Sequence, residues 1–359
     1  MTDRRWISSL ALAAIAAAST TAVAQAPKKT AVKSDSPNYV SVVKHEADRR
    51  VDVLVGGKPF TSYIWPTTLK KPVLYPLVSA SGTVVTRGYP LEPRPGERVD
   101  HPHHAGLWFN YGDVNGLDFW NNSDAIRPAQ APKMGTIVHQ SVRSAKSGAG
   151  EGTLEVTEQW VNSDNKPLLR EDTRYVFHAK DGVRSIDRIT TLTALDSAIV
   201  LGDNKEGVIG MRVARQLEHP SLTPEKFTDA SGRVTDVAKL DTAGVHGHYV
   251  SSEGKEGDDV WGTRGKWTML TGDVSGAPVT LAILDHPKNL GYPTYWHARG
   301  YGLFAANPLG HKAMTNGQAE ATTFKIEPKK SITFRHEVLI MDGKATAADI
   351  EKYYTAFTR

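Results

Sequence analysis

Between Ser331 and Ile340 apolar and polar side chains alternate. Ile332, Phe334, His336, Val338 and Ile340 fall on one face, and Thr333, Arg335 and Glu337 on the other. A period of two is the mark of a strand with one face in a core. Shorter β-rich runs recur along the chain: from Tyr39, then Val73–Val78, Thr83–Arg87, Thr136–Val142, Thr153–Val161, Thr173–His178 and Val279–Leu284. Val51 to Val55, Gly56-Gly57-Lys58 and Pro59 to Trp65 read as a hairpin, because two glycines supply the positive φ that a tight turn demands. One helix is predicted, at the C-terminus. Thr346 is placed to cap it, and Ile350, Tyr353, Tyr354 and Phe357 fall on one side, for packing on the outside of a sheet. The pattern predicts an all-β fold, a large antiparallel β-sandwich with a short C-terminal helix.

The N-terminus does not belong to that pattern. Arg4 and Arg5 precede the apolar run Leu10–Ala18 and the small-residue site Ala22-Val23-Ala24, so residues 1–24 read as a secretory signal, cut after Ala24 or Ala26. Residues 25–37, rich in Ala, Lys, Pro and Ser, read as a flexible leader, and 38–359 as one β-sandwich domain. The expected location is periplasmic or secreted. The chain has no cysteine, which removes thiolate catalysis and thiolate metal ligands. A formal charge of +4 without a Lys/Arg run argues against nucleic acid, and no span in the mature chain is long and apolar enough to cross a membrane.

Candidate chemistry concentrates in Asp100–Asn122, DHPHHAGLWFNYGDVNGLDFWNN, which holds three histidines, three aspartates and two tryptophans. A core has little use for so many polar groups, since each one buried needs a partner. His101 and His103 would share a face on a strand, with His104 on the other, and Pro102 suggests a strand entry or edge. Such a pair can serve as acid and base or hold a divalent metal. Asp118 is a candidate carboxylate, Trp108 and Trp120 are candidate platforms, and Asn110 is a candidate ligand amide. The competing reading is a loop of surface or hydrogen-bonded histidines, with GDVNG as a turn.

Other segments add to this list. PLEPRPG (90–96) reads as a stiff loop framing one rim, and Arg87, Glu92, Arg94 and Arg98 are either anion- or hydroxyl-binding groups or solvated charges. In Asp203–Gly207, Glu206 is a possible general base, with Lys205 or Arg212 stabilising an oxyanion. Trp261 and Arg264, among glycines, suit a sugar face, while Trp267 fits a core equally well. His286 ends an apolar strand, and His297 and Arg299 share a face if extended; His286 and His297 could complete the site or supply its acid. Asn307, Pro308 and His311 read as a pocket-shaping loop, and His246 and His248 as surface.

Three stretches carry a family resemblance: HPHHAGLWFNYGDVNGLDFW (101–120), DNKEGVIGMR (203–212) and PTYWHARGYGLFAANPLGHK (293–312). Over roughly residues 40–342 the chain resembles the soluble bacterial family labelled PmoA-like, or "methane oxygenase PmoA". The resemblance implies a sandwich akin to the galactose-mutarotase superfold, and it strengthens a functional reading of the 203–207 segment. The methane label does not fit a chain without membrane spans.

No phosphate loop, dinucleotide fingerprint, Gly-x-Ser-x-Gly elbow or HExxH helix is present. What remains suits carbohydrate chemistry: hydrolysis, elimination, hydration or epimerisation of a small-molecule or oligosaccharide substrate. His101, His103 and His297 would act as acid and base or, for the first two, as metal ligands. Glu206 or Asp118 would oppose them. Arg299, His286 and Asn110 would hold the substrate against Trp108, Trp120 or Trp261. Two other readings are a non-catalytic carbohydrate-binding protein, for which the histidines would be dispensable, and a copper or iron oxygenase as the family label suggests.

Overall fold

The computed structural model of the protein describes residues 36–359. The expected signal segment 1–24 and the expected leader as far as residue 35 lie outside them. Two large antiparallel sheets face each other, one of ten strands and one of eight. The centre of the first sheet runs, in spatial order, Thr294–Ala298, Leu303–Asn307, Gly207–Arg212, Leu107–Tyr111, Val73–Leu74, Lys58–Ile64, Arg50–Val55 and Tyr39–His45. The second runs His248–Ser251, Trp267–Val274, Ala277–Asp285, Ser331–Asp342, Val183–Ala194, Pro167–Lys180, Glu151–Val161 and Thr136–Lys146. Their inner faces form the main core. Phe109 of the first sheet meets Phe334 and Trp160 of the second, with ring centroids 5.7 and 6.4 Å away.

The alternating strand at Ser331 is central in its sheet, and Phe334, His336, Val338 and Ile340 are buried as the pattern requires. The hairpin forms across Gly56 and Gly57, both at positive φ. The C-terminal helix spans Ala347–Phe357. Thr346 closes a capping box with Asp349, and Ile350, Tyr354 and Phe357 pack on Met269, Leu284 and Leu339, outside the second sheet. Two expected strands shrink. Val73–Val78 is a strand only over Val73–Leu74, because Pro76 offers no N–H to a ladder, and beyond it Val78 makes an isolated bridge with Val84; Thr83–Arg87 forms only isolated bridges, at Val84 and Thr86. His101 and His103 are not on a strand either. The strand begins at Leu107, and His101 sits in a turn at φ 44°.

Alternation sends every second side chain of the first sheet away from the main core. Phe304 and Ala306 face inward, while Leu303 and Ala305 face out. On that outer side Trp108, Trp120, Tyr301 and Leu303 form a second cluster, roofed by Phe227 from the hairpin Glu225–Thr228/Val234–Val237. Gly210 lets the two tryptophans approach the sheet: a Cβ there would lie 2.7 Å from Trp108 Cζ2 and 2.9 Å from Trp120 Cη2. Gly210→Ala therefore overpacks this cluster and is expected to cost about 1–3 kcal/mol, read as a shift of the urea midpoint at unchanged slope.

Candidate functional site

Arg87 organises the histidine loop. Its guanidinium is fully buried and donates to the carbonyls of Arg98, Asp100, His101 and His104 at 2.9–3.2 Å, and to Asp100 Oδ1 at 3.0 Å. The same Asp100 oxygen lies 2.8 Å from Arg212 Nη2 and 2.9 Å from His101 Nδ1. One carboxylate thus stands between two buried guanidiniums and an imidazole. Their positive charge outweighs the effect of burial and holds the Asp100 carboxyl far below its usual range. These contacts keep His101 in its left-handed turn, a region that a residue with a Cβ seldom occupies.

The imidazoles are stacked as well as tethered. Tyr301, His101, His104 and Trp108 form a column with successive centroids 4.9, 4.8 and 5.1 Å apart and ring planes within 16°. His103 meets this column edge-on, 4.3 Å from His104. Asp100 accepts the Nδ1 proton of His101, so the ring's lone pair is on Nε2. Trp120 Nε1 donates to His104 Nε2 at 3.2 Å, which makes His104 a supporting group. Neither ring nitrogen of His103 has a partner of hydrogen-bonding geometry, although the residue is buried. Behind it, the buried Lys71 donates to the His103 carbonyl at 2.7 Å, and burial lowers the Lys71 ammonium to about 7.

A cavity of about 390 Å³ opens beside this column. His101, His103, Glu206, Glu225, Arg299 and Tyr301 are in its wall, and Trp120, Lys205 and Phe227 also border it. His297 faces outward from the strand Thr294–Ala298 opposite the small Ala305. Its Nδ1 is 3.6 Å from Glu206 Oε2, and like His103 it is buried without an ordinary hydrogen-bond partner. Glu206 itself pairs with Lys205. The loop bearing it is pinned by Asn307, which donates to the Asn204 carbonyl at 2.7 Å, and by Asp203, which accepts from three backbone amides near Lys312 and Thr322. Arg299 lies 3.6 Å from Glu225 and 4.5 Å above the Trp261 ring. Burial lowers His101, His103 and His297 below the ordinary imidazole range, the latter two strongly, and raises Glu225. The site therefore holds neutral imidazoles at neutral pH.

The structure brings His101, His103, Glu206, Trp120 and Arg299 together in the cavity wall, and places His297 behind it, beside Glu206. It leaves out the other candidates. Trp108 is fully buried at the base of the column and offers no open face. Asn110 is buried and donates to the Phe119 carbonyl at 2.6 Å. Asp118 caps its own loop, accepting from Trp120 N, Asn121 N and Asn121 Nδ2, and is absent from the cavity wall. Trp261 lies beneath Arg299 rather than in the wall. His286 packs edge-on against Phe357, under the C-terminal helix. Arg87 and Arg212 are internal ties, not ligand-binding groups, and PLEPRPG borders a different groove. Glu225, Phe227 and Tyr301 escaped the sequence reading. Only Tyr301, inside the third quoted stretch, carried a signal. Among the described residues no group of three or more His, Asp or Glu is arranged to hold a metal ion, and a metal on His101 and His103 would need further ligands from water or substrate.

A family model matches residues 50–355, nearly the whole described chain. The chain belongs to the family of unknown function DUF6807. The PmoA-like label has no counterpart in that match. No curated protein matches in sequence. Among solved structures, a GH36 α-galactosidase, AgaA from Geobacillus stearothermophilus, is similar at 10% identity and a TM-score of 0.31, over 85% of this chain and 41% of its own. The galactosidase domain of the α-galactosidase-sucrose kinase AgaSK gives 11% and 0.37, over 84% and 42%. A galactose mutarotase related enzyme from Lactobacillus acidophilus gives 8% and 0.28, over 86% and 98%. The chain spans about four tenths of the two galactosidase chains. Scores this low carry neither substrate nor mechanism across.

Asp100→Asn would leave two buried guanidiniums without their carboxylate, and a loss of about 3–5 kcal/mol is expected at pH 7. Because the folded carboxyl is depressed, its contribution is complete above the unfolded value of about 3.9 and is lost as pH falls below it. Urea unfolding at pH 7 and pH 3 should show the gap between wild type and variant narrowing on the acid side.

Proposed function

We propose that the chain is an exported carbohydrate-active enzyme that moves a proton on a sugar or sugar derivative. The observation that carries this reading is a pair of buried, neutral imidazoles without hydrogen-bond partners, His103 in the cavity wall and His297 beside Glu206. A buried polar group left unpaired costs stability, and such cost is tolerated where a ligand supplies the partner. The N-terminal run from Arg4 to Ala24 supports export.

In this reading a sugar ring enters between the Tyr301–His101 column and the hairpin that carries Glu225. The cavity volume suits one or two sugar units. His103 or His101 Nε2 takes a proton from the substrate, and His297 with Glu206 handles the returning proton on the other side. Arg299 steadies the oxygen on which negative charge develops. Abstraction from a carbon beside a carbonyl leads to epimerisation, or to elimination if a neighbouring group departs.

The test uses the mature chain in D2O with a panel of aldoses, keto-sugars and uronic acids, followed by NMR. Solvent deuterium should appear at one sugar carbon, and His103→Ala should slow its entry by about a hundredfold or more. The acting base must be unprotonated, and burial lowers its pKa. The acid limb of the rate should therefore lie below about 6.5, the value of a free imidazole. Sugar affinity with neither deuterium exchange nor product would make the protein a binder, and an unchanged rate in His103→Ala would remove the histidine from the chemistry.

A further inference from the structure

A second polar site lies where the two sheets meet, on the far side of Lys71. Trp65 follows the strand Lys58–Ile64, and His139 belongs to Thr136–Lys146, an edge strand of the other sheet. Their rings stack at 4.0 Å with planes 24° apart. They border a groove of about 510 Å³ whose other polar residues are Glu46, Arg49, Thr67, Lys71, Thr136 and Gln140.

His139 is held in one tautomer from behind. Its Nδ1 lies 2.9 Å from the Tyr63 hydroxyl, which donates to Glu158 Oε1 at 2.6 Å. With the hydroxyl proton directed to Glu158, the Tyr63 oxygen accepts from His139, an arrangement that puts the proton on Nδ1 and the lone pair on Nε2. Glu158 is itself buried against Glu171, and burial together with the Glu171 charge raises it well above the carboxylate range. Glu171 is tied to Arg188 at 2.6 Å, Trp160 Nε1 at 2.8 Å and Thr173 at 2.6 Å. The sandwich thus commits a chain of interior polar groups to the orientation of one half-buried imidazole on a groove wall. A core strand pair alone needs no such chain, since apolar side chains of similar volume would pack at equal or lower cost.

We propose that this groove is a second saccharide subsite, taking one neutral pyranose unit of an oligosaccharide, with the Trp65–His139 pair as its aromatic wall and His139 Nε2 as acceptor for a sugar hydroxyl. The choice of occupant follows from the lining. An aromatic wall beside an amide, two threonines, one acidic and one basic group in Glu46 and Arg49, and the buried Lys71, whose ammonium is turned to the His103 carbonyl, matches the alternating apolar faces and hydroxyls of an uncharged sugar. The groove also leads toward the histidine cavity. A small depression between them shares Leu69 and Lys71 with the groove and His103 with the cavity. The proposal rests on the saccharide reading of that cavity and assigns it an oligosaccharide longer than one unit.

The experiment is imidazole NMR on the mature chain, titrated with cello-, xylo- and galacto-oligosaccharides of one to four units. His139 reports the groove, and His101 and His103 report the cavity. The His139 signals should move with oligomers and not with monosaccharides, and affinity should fall at least tenfold in Trp65→Ala. Trp65→Phe, which keeps an aromatic ring if Trp65→Ala does not fold, should lose less. Shifts at the cavity histidines alone, or full affinity in both Trp65 variants, would overturn the subsite and leave the cavity reading standing. Movement at His139 alone would place a sugar in the groove but overturn the cavity reading, and with it the single oligosaccharide that spans the two. Silence at every histidine across the panel would end both.

Discussion

One carboxylate oxygen holds this site in place. Asp100 Oδ1 faces Arg87, Arg212 and His101 at 2.8–3.0 Å, all of them buried. Such a cluster gains little net stability, because desolvating the charges nearly cancels their attraction, but losing one member is severe. Its effect is geometric. Arg87 fixes four carbonyls of the loop, Arg212 stands on the sheet at the end of Gly207–Arg212, and the loop cannot leave the sheet without exposing unpaired charge. The stacked column of Tyr301, His101, His104 and Trp108 inherits that position.

The electrostatic consequence is a set of bases instead of acids. Two guanidiniums and deep burial both disfavour a second positive charge on the neighbouring rings, so the histidines stay neutral. His101 keeps a lone pair on Nε2 because Asp100 has taken its Nδ1 proton, and His103 and His297 keep theirs for want of any partner. The acidic side of the cavity, Glu206 and Glu225, is tempered by Lys205 and Arg299. A neutral base, a carboxylate and a guanidinium around a sugar-sized space are the parts that proton transfer on a polar substrate requires.

The fold was legible where periodicity is long. The Ser331–Ile340 alternation is observed in the buried Phe334, His336, Val338 and Ile340, although Leu339 on the other face is buried too, beneath the helix; of the expected helix set Ile350, Tyr354 and Phe357 are buried and Tyr353 is half-buried. The histidine cluster was legible as a concentration of polar groups but not in shape. His101 and His103 look like a same-face strand pair until Arg87, fourteen positions before His101, bends the loop into a turn, and no local pattern reports that contact. Trp108 and Trp120 are equally apolar in sequence, yet one forms the base of the column and the other borders the cavity. Asp118 looked catalytic because its type fits, but its short-range role as a loop cap satisfies it fully. Glu225 arrives on a hairpin that only the tertiary fold lays over the site.

The most direct test of this account is a pH titration of the imidazole nitrogens by NMR in the mature protein. His103 and His297 should stay neutral to well below the ordinary imidazole value of about 6.5, with His101 carrying its proton on Nδ1 throughout. Ordinary titration of His103 near 6.5 would mean that its ring is solvated and unconstrained, and it would contradict the view that the Asp100 cluster holds it as a buried base; the same result at His297 would contradict its burial behind Glu206.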